Sequence, residues 1–258
     1  YDALNHILSL DVDKIWRKKA LKQIVDAPAP ARVLDLACGT GDFSIAIAKA
    51  LSRSHKRVGT PIEAHVKAPA KAPVEAQVTS TGFVTGDSGR SDLMTKGHVT
   101  GVDLSEGMLA VMREKVGKAG LTEMISIEEG DGENLRFPDN TFDRVTIAFG
   151  IRNFENREKG LREMLRVLKP GGRLVILELS RPENKVIRWF YDLYFLHILP
   201  KVGGKVSGDK AAYAYLPASV AAFPGKKAFM ATMREAGFRA VTHKAFTLGI
   251  CRMYTGEK

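Results

Sequence analysis

The segment VLDLACGTGDF (residues 33–43) restricts the possible folds more than any other part of the chain. Apolar and β-branched residues lead to Asp35, and the chain then breaks at Gly39 and Gly41. A helical pattern of apolar residues follows over 43–51. Strand, glycine turn and helix in this order open a βαβ unit. Because ligands of open α/β sheets bind at the carboxyl ends of the strands, this turn predicts a binding site.

Strands and helices alternate along most of the remaining chain. Apolar or alternating runs predict strands at 98–103, 124–129, 142–151, 173–180, 238–247 and 250–255, and helical patterns lie at 105–118, 157–168, 183–199 and 226–236. Two short helices are predicted within residues 1–25. This order predicts a doubly wound α/β fold in a single domain, 1–258, with a mostly parallel seven-stranded sheet whose last strand is antiparallel.

Residues 53–97 interrupt the alternation. They are rich in Ala, Pro, Lys, Ser, Thr and Gly, and they show almost no periodic apolar face. Such a composition cannot bury enough surface to offset its ordering entropy. We therefore expect a flexible insertion between the first helix of the βαβ unit and the second strand, and a tolerated insertion is favoured over a functional lid.

Charge and cysteine content narrow the function classes. A net charge of +10 and an isoelectric point near 9.6 favour anionic partners, either nucleic acid or the negative face of a membrane. Cys38 and Cys251 lack metal-like spacing, which fits a reducing cytoplasm. No secretory signal precedes Tyr1, although the chain starts without an initiator methionine. We expect a cytoplasmic protein that reaches at most the cytoplasmic face of the inner membrane.

The glycine turn carries the pattern Asp-x-x-x-Gly-x-Gly, from Asp35 to Gly41. A dinucleotide-binding turn would need a third glycine where Ser44 stands. The pattern instead resembles that of the class I S-adenosylmethionine methyltransferases. The alternative is a turn that merely joins a strand to a helix.

Two further acidic residues follow the next two strands. Asp103 can accept hydrogen bonds from both ribose hydroxyls of a nucleoside, and Asp131 can accept one from the adenine amino group. The alternatives are an N-cap interaction for Asp103 and ordinary turn chemistry for Asp131 between its two glycines.

Longer segments resemble the ubiquinone/menaquinone biosynthesis C-methyltransferases. The matching segments are YDALNHILSLDVDKIWRKKA, VLDLACGTGDF, GVDLSEGML, RFPDNTFDRVTIAFGIRNF, RVLKPGGRLVILELSRP, YDLYFLHILPKVG and YAYLPASV, which together cover nearly all of the chain except the insertion. The resemblance implies that Thr40, Asp103 and the Asp131-Gly132 pair bind the cofactor. Ala148 stands where some members have Ser, so a side-chain hydrogen bond is lost there while a backbone contact remains.

The same resemblance implies a reaction. S-adenosylmethionine would methylate a ring carbon of a polyprenylated quinol, either demethylmenaquinol or the corresponding ubiquinone precursor, and no metal is required. The alternatives are another small-molecule C- or O-methyltransferase, or a noncatalytic cofactor-binding assembly protein. The charge also suggests an RNA methyltransferase, but the FGIRN segment (149–153) lacks the tetrapeptide of base-amine methyltransferases, so we expect no nucleic-acid partner.

Candidate catalytic and substrate residues lie downstream. Arg152 could hold a quinol oxygen or its developing anion and Asn153 could orient it, although helix capping and a surface salt bridge would also explain both residues. The helix predicted at 183–199 is rich in aromatic residues. It suits either core packing or transient membrane contact for a polyprenyl tail. Tyr194, His197 and Tyr215 are candidate substrate contacts, with a core role favoured for His197.

Overall fold

A single seven-stranded sheet organises the chain in a computed structural model that describes residues 12–27, 31–58, 97–193 and 210–258. The strands are β1 Arg32–Leu36, β2 His98–Asp103, β3 Ile125–Glu129, β4 Phe142–Ala148, β5 Leu168–Leu179, β6 Arg239–Phe246 and β7 Cys251–Glu257. Their order across the sheet is β3-β2-β1-β4-β5-β7-β6. Strands β1 to β5 pair in parallel, and β7 runs antiparallel to both neighbours, β5 and β6. The predicted fold class is confirmed.

Seven helices of the described residues cover the sheet. They are α1 Val12–Ile24, α2 Asp42–Val58, α3 Glu106–Lys118, α4 Arg157–Val167, α5 Lys185–Asp192, α6 Lys210–Ala222 and α7 Lys226–Glu235. Ser105 accepts a hydrogen bond from the backbone of Met108 and caps α3, as its position in the sequence predicts. Of the two helices predicted near the amino terminus, α1 is the second, and the first lies outside the described residues.

The hydrophobic core has two layers, one on each face of the sheet. Val33 of β1 packs with α1, α2 and α3, whereas its neighbour Leu34 packs with α4 and α7. Successive side chains of a strand point to opposite faces, so a strand covered on both sides is apolar at consecutive positions. The continuous apolar run of β1 is therefore explained by burial on both faces.

Two strands, β4 and β5, differ from their predicted bounds by three or more residues. Residues 169–172, which separate the predicted helix at 157–168 from the predicted strand at 173–180, lie inside β5, because Gly171 N donates to Lys258 O and Lys258 N donates to Gly172 O, at 3.1 and 3.0 Å. Strand β4 ends at Ala148, three residues before the predicted end. Phe149 has a φ of 63°, which takes the chain out of the extended conformation and towards a short 3₁₀ turn.

The predicted insertion lies between α2 and β2. Helix α2 continues to Val58, beyond the predicted boundary at residue 53, and residues 59–96 lie outside the described part of the chain. After residues 59–96 the chain returns at the amino ends of the strands, since His98 N donates to Ala31 O at 2.8 Å. A Cβ on Gly97 would lie 3.4 Å from Leu51 of α2. Among the described helices, none has the length and apolarity needed to cross a membrane.

Candidate active site

A cavity of about 460 Å³ opens at the carboxyl ends of β1 to β4. Its walls come from the last residues of these strands, the loops that follow them, the first turns of α2 and α3, and one residue of α1, Arg17. Seven of the residues proposed from the sequence line it, namely Asp35, Gly39, Asp103, Asp131, Gly132, Ala148 and Asn153. The parallel topology therefore brings together chain segments that are separated by more than 100 positions.

The glycine turn after β1 has the backbone that its sequence predicts. Gly39 and Gly41 have φ values of 57° and 82°, in the left-handed region that favours glycine. A Cβ on Gly41 would lie 2.4 Å from Cγ of the buried Met112 on α3. Gly41 itself is behind the cavity wall, so it shapes the turn rather than the inner surface.

Asp35 is buried at the end of β1, where the Ser44 hydroxyl donates to its Oδ2 at 2.5 Å. Burial raises the pKa of this carboxyl from its ordinary value of 3.8 to about 7. The hydrogen bond from Ser44 and the positive charge of Arg17 oppose that shift. Asp35 is thus a carboxyl group that can change its charge near neutral pH inside a ligand-sized cavity.

Asp103 links β2 to the glycine turn. Its Oδ2 accepts from the backbone of Gly39 and its Oδ1 from the backbone of Ser105, both at 2.9 Å. These two bonds fix the carboxylate at the cavity wall while leaving further lone pairs for a ligand. Asp103 stabilises the loop before α3 and also lines the cavity, and its contact with a ribose stays a prediction.

The loop after β3 presents a second carboxylate. Asp131 is exposed, lines the cavity and accepts from the backbone of Glu133 at 2.8 Å. Gly132 is tightly packed, since a Cβ there would lie 2.6 Å from the ring of Phe154. Phe154 also lines the cavity, so Gly132 makes room for an aromatic wall at this end of the site.

Thr40 and Arg152 are not among the residues that line the cavity. Thr40 is outside the cavity lining, and its hydroxyl accepts from Lys115 Nζ at 2.7 Å. Arg152 is buried beneath the loop, with Nη1 2.9 Å from Glu178 Oε1 and no exposed surface on either side chain. The alternative explanation of Arg152, a surface salt bridge, is also wrong, because the ion-pair partner of Arg152 is Glu178, a buried residue of β5.

Asn153 is the member of the Arg152-Asn153 pair that faces the cavity. The hydroxyl of Tyr215, on α6, donates to Asn153 Oδ1 at 2.9 Å, so Tyr215 contacts the site through Asn153. Two other proposed substrate residues, Tyr194 and His197, lie outside the described part of the chain.

The cavity residues that were not predicted from the sequence include Arg17, Phe149 and Phe154. The Arg17 guanidinium lies over the Phe149 ring, 5.6 Å from its centroid. Arg17 follows the buried Trp16 in a strongly basic helix, and the basic pattern of that helix gives no sign of which cation turns inward. Phe149 and Phe154 flank the Arg152-Asn153 pair, which was the available signal for them.

The geometry agrees with the comparison to known proteins. A sequence profile of the ubiE/COQ5 methyltransferase family matches residues 1–258. The chain belongs to this family. This methyltransferase is 43% identical to the ubiquinone/menaquinone biosynthesis C-methyltransferase UbiE of Geobacter sulfurreducens, over 100% of the chain and 84% of the relative. It is 38% identical to the demethylmenaquinone methyltransferase of Bacteroides fragilis, over 100% of the chain and 87% of the relative.

Solved structures share the fold at low sequence identity. The [4+2]-cyclase SpnF superimposes with a TM-score of 0.62 at 16% identity, covering 96% of this chain and 82% of its own. A SAM-dependent methyltransferase from Aquifex aeolicus gives a TM-score of 0.54 at 20% identity, covering 93% and 88%. Because one of these two proteins is named as a cyclase, the fold alone does not specify the reaction.

S-adenosylmethionine is the methyl donor of this methyltransferase. The residues present fit that ligand. Gly39 lines the cavity and lets the backbone approach a ligand closely, and Asp103 offers the carboxylate that a ribose diol requires. Asp131, near the Phe154 ring, offers an acceptor for an exocyclic amine.

Proposed function

We propose that this methyltransferase methylates a ring carbon of a polyprenylated quinol, with demethylmenaquinol as the first acceptor to test and the ubiquinone precursor as the second. The names of its relatives support this acceptor class, since they include both the quinone-biosynthesis C-methyltransferase and the demethylmenaquinone methyltransferase. Matches of 38–43% identity over the whole chain make a shared reaction the leading hypothesis.

The observation that carries the proposal is that Asn153 lines the same cavity as Phe149 and Phe154. Phe149 and Phe154 line the cavity beside it and offer flat apolar surface to an aromatic ring. Since Asn153 Oδ1 accepts from Tyr215, its Nδ2 group is left to donate a hydrogen bond to the acceptor. A quinol oxygen that becomes anionic as its ring carbon turns nucleophilic is the group that such a donor stabilises.

S-adenosylmethionine supplies the electrophilic methyl group when it is bound. The chain's own task is alignment and exclusion of water, because the nucleophile belongs to the substrate. In this proposal Asn153 orients the quinol oxygen, and Tyr215 fixes the Asn153 side chain. Arg152 acts from beneath as a positioning residue, through its backbone and its ion pair with Glu178.

We further propose that α5 makes transient contact with the membrane surface that stores such quinols. Val186, Trp189 and Phe190 are 66%, 61% and 60% exposed, and with Leu193 they form one face at helical spacing. Exposed aromatic side chains beside a cation such as Lys185 suit the interface of an anionic bilayer. The cytoplasmic face of the inner membrane is the location that follows from this proposal.

The acceptor is tested by turnover. Purified protein with S-adenosylmethionine is offered demethylmenaquinol, the ubiquinone precursor and a short-tailed naphthoquinol, and the methylated ring product is identified by mass spectrometry. We expect ring C-methylation of at least one quinol. A protein that binds S-adenosylmethionine and methylates none of them, or that methylates only oxygen, would contradict the proposed acceptor chemistry.

The membrane contact is tested separately with vesicles that contain phosphatidylglycerol. Trp189→Ser should weaken sedimentation with these vesicles and lower turnover of long-tailed quinols while sparing the short-tailed one. Val111→Ser is the matched control, because Val111 is also an exposed apolar residue (42%) but lies on α3. Equal losses for both tail lengths in Trp189→Ser would favour a packing role for α5.

A further inference from the structure

The charges that line the cavity are strongly unbalanced. Six acidic residues contribute to the wall, namely Asp35, Asp42, Asp103, Asp131, Glu133 and Glu155. Among the described residues that line the cavity, Arg17 is the one lysine or arginine. An anionic group entering such a cavity is repelled by most of the wall and attracted at one place.

The contacts of Arg17 leave its guanidinium able to bind an anion. Its side chain is 16% exposed, and its Nε forms an ion pair with Asp13 Oδ2 of the same helix at 3.6 Å, which is beyond hydrogen-bond distance. Within the described part of the chain, Arg17 Nε is a buried donor with no hydrogen-bond partner. The guanidinium is held over the Phe149 ring, which orients its plane without using its N–H groups.

The helix that carries Arg17 is firmly anchored. The neighbouring Trp16 is 3% exposed, and its indole Nε1 donates to Thr247 Oγ1 at 2.9 Å. Trp16 also packs against Phe149, with ring centroids 6.3 Å apart. Arg17 therefore reaches the cavity from a fixed position, close enough to Asp35 to lower the pKa of that carboxyl.

S-adenosylmethionine carries one anionic group, the α-carboxylate of its methionine part. Its ammonium and sulfonium groups are cationic and its ribose hydroxyls are donors, so these suit the acidic wall. The carboxylate needs the opposite charge, and a guanidinium can bind it through two parallel hydrogen bonds. Arg17 lies close to Asp35, in β1 just before the glycine turn, whereas Asp131 belongs to the wall after β3.

We propose that Arg17 binds the α-carboxylate of S-adenosylmethionine and so makes α1 part of the cofactor site. The inference rests on the cofactor of this family and adds to it a residue from outside the sheet and its loops. It is independent of which quinol is methylated.

Calorimetric titration with two ligands tests the assignment. S-adenosylmethionine and decarboxylated S-adenosylmethionine both carry the sulfonium and the ammonium, and only the first carries the carboxylate. We expect Arg17→Ala to weaken binding of the first by roughly 10- to 100-fold and to leave affinity for the second unchanged. Arg17→Lys should lie between wild type and Arg17→Ala, because a point charge cannot form the paired hydrogen bonds.

Lys18→Ala is the matched control, since Lys18 is an exposed cation of the same helix. The Lys18→Ala variant should bind both ligands with the affinity of wild type. If Arg17→Ala loses the same affinity for both ligands, the proposal is overturned and Arg17 has a role in anchoring the helix. Undiminished binding of S-adenosylmethionine by Arg17→Ala would also overturn the proposal. Thermal unfolding without ligand checks that each variant is folded. If Arg17→Ala does not fold, Arg17→Lys takes its place as the test variant. Wild type that binds S-adenosylmethionine but methylates no quinol would sink the proposed acceptor and leave this inference standing.

Discussion

Glu178 holds Arg152 beneath the loop that follows β4, with the Arg152 Nη1 and Glu178 Oε1 atoms 2.9 Å apart and both side chains fully buried. Glu178 also accepts from the backbone N–H groups of Arg152 and Leu179, at 3.2 and 2.8 Å. The pair therefore joins β5 to the loop that carries Asn153. Its first effect is on the shape of that loop and on the stability of the fold.

Arg152→Ala should accordingly lower the free energy of unfolding by about 3–5 kcal/mol, because it leaves the Glu178 carboxylate buried without its partner. Urea unfolding measures the change. Arg181→Ala is the control, since Arg181 forms an ion pair with Asp192 that is partly exposed, and its loss should cost less than about 1 kcal/mol. Equal stability of wild type and Arg152→Ala would show that the buried pair is not structural.

Tyr215→Phe should lower kcat by roughly 5- to 10-fold, because the Asn153 amide loses the hydrogen bond that orients it. Affinity for S-adenosylmethionine should stay the same, since Tyr215 is not part of the cavity wall near the glycine turn. Tyr254→Phe provides the control: the Tyr254 hydroxyl is buried and has no hydrogen-bond partner within the described residues. A Tyr215→Phe variant with normal kcat would remove Tyr215 from the acceptor site.

Binding of S-adenosylmethionine should tighten about tenfold between pH 6 and pH 8, because a cationic ligand favours the Asp35 carboxylate, whose pKa in the free protein is about 7. Titrations in buffers of different ionisation enthalpy should reveal proton release on binding. In Asp35→Asn this pH dependence should vanish. An affinity of wild type that does not change with pH would contradict the placement of Asp35 beside the ligand's positive charge.

The same shift has a defined effect on the ligand-free fold. The pKa of Asp35 is raised above its ordinary value of 3.8, so the folded state holds more protons than the unfolded state between about pH 4 and pH 7. The contribution of Asp35 to stability is therefore present at low pH and is lost as the pH rises through 7. Urea unfolding across this pH range should show that the free energy of unfolding falls more steeply with pH in wild type than in Asp35→Asn.

Gly41→Ala should weaken binding of S-adenosylmethionine by at least roughly tenfold and lower the free energy of unfolding by about 1–3 kcal/mol. The φ of 82° is unfavourable for alanine, and the added Cβ would lie 2.4 Å from Met112 Cγ. Gly117→Ala is the matched control, because a Cβ on this glycine of α3 meets no atom within 4 Å. Calorimetry and thermal unfolding of both variants separate the local effect from a general one.

The elements that the sequence predicted best were those specified by short-range chemistry. Strand β2 has its predicted bounds, Ser105 caps α3, and the glycine turn follows β1, because periodicity, capping and positive φ act over a few residues. The acidic residues Asp103 and Asp131 could also be located, since parallel strands end at one edge of the sheet.

The orientation of Arg152 could not be predicted, because Glu178 lies 26 positions away and only the pairing of β4 with β5 brings the two together. The same holds for Arg17, whose place in the cavity depends on how α1 packs against the sheet. Periodicity shows that a helix is amphipathic, but it does not show which strand ends lie beside each of its charged residues.

The chain returns to the sheet after residues 59–96 at one end of the strands, and the ligand cavity lies at the other end. Gly97 adjoins Ala31 just before β1, whereas Asp35 lies near the carboxyl end of β1. We therefore expect that length changes between α2 and β2 leave the segments that form the cavity at their own spacing. On this expectation the chain can gain or lose residues at one end of the sheet during evolution, while selection for chemistry acts at the other end. In the laboratory, the same junction offers a place to attach a fluorophore or a surface tether at a distance from the reacting groups.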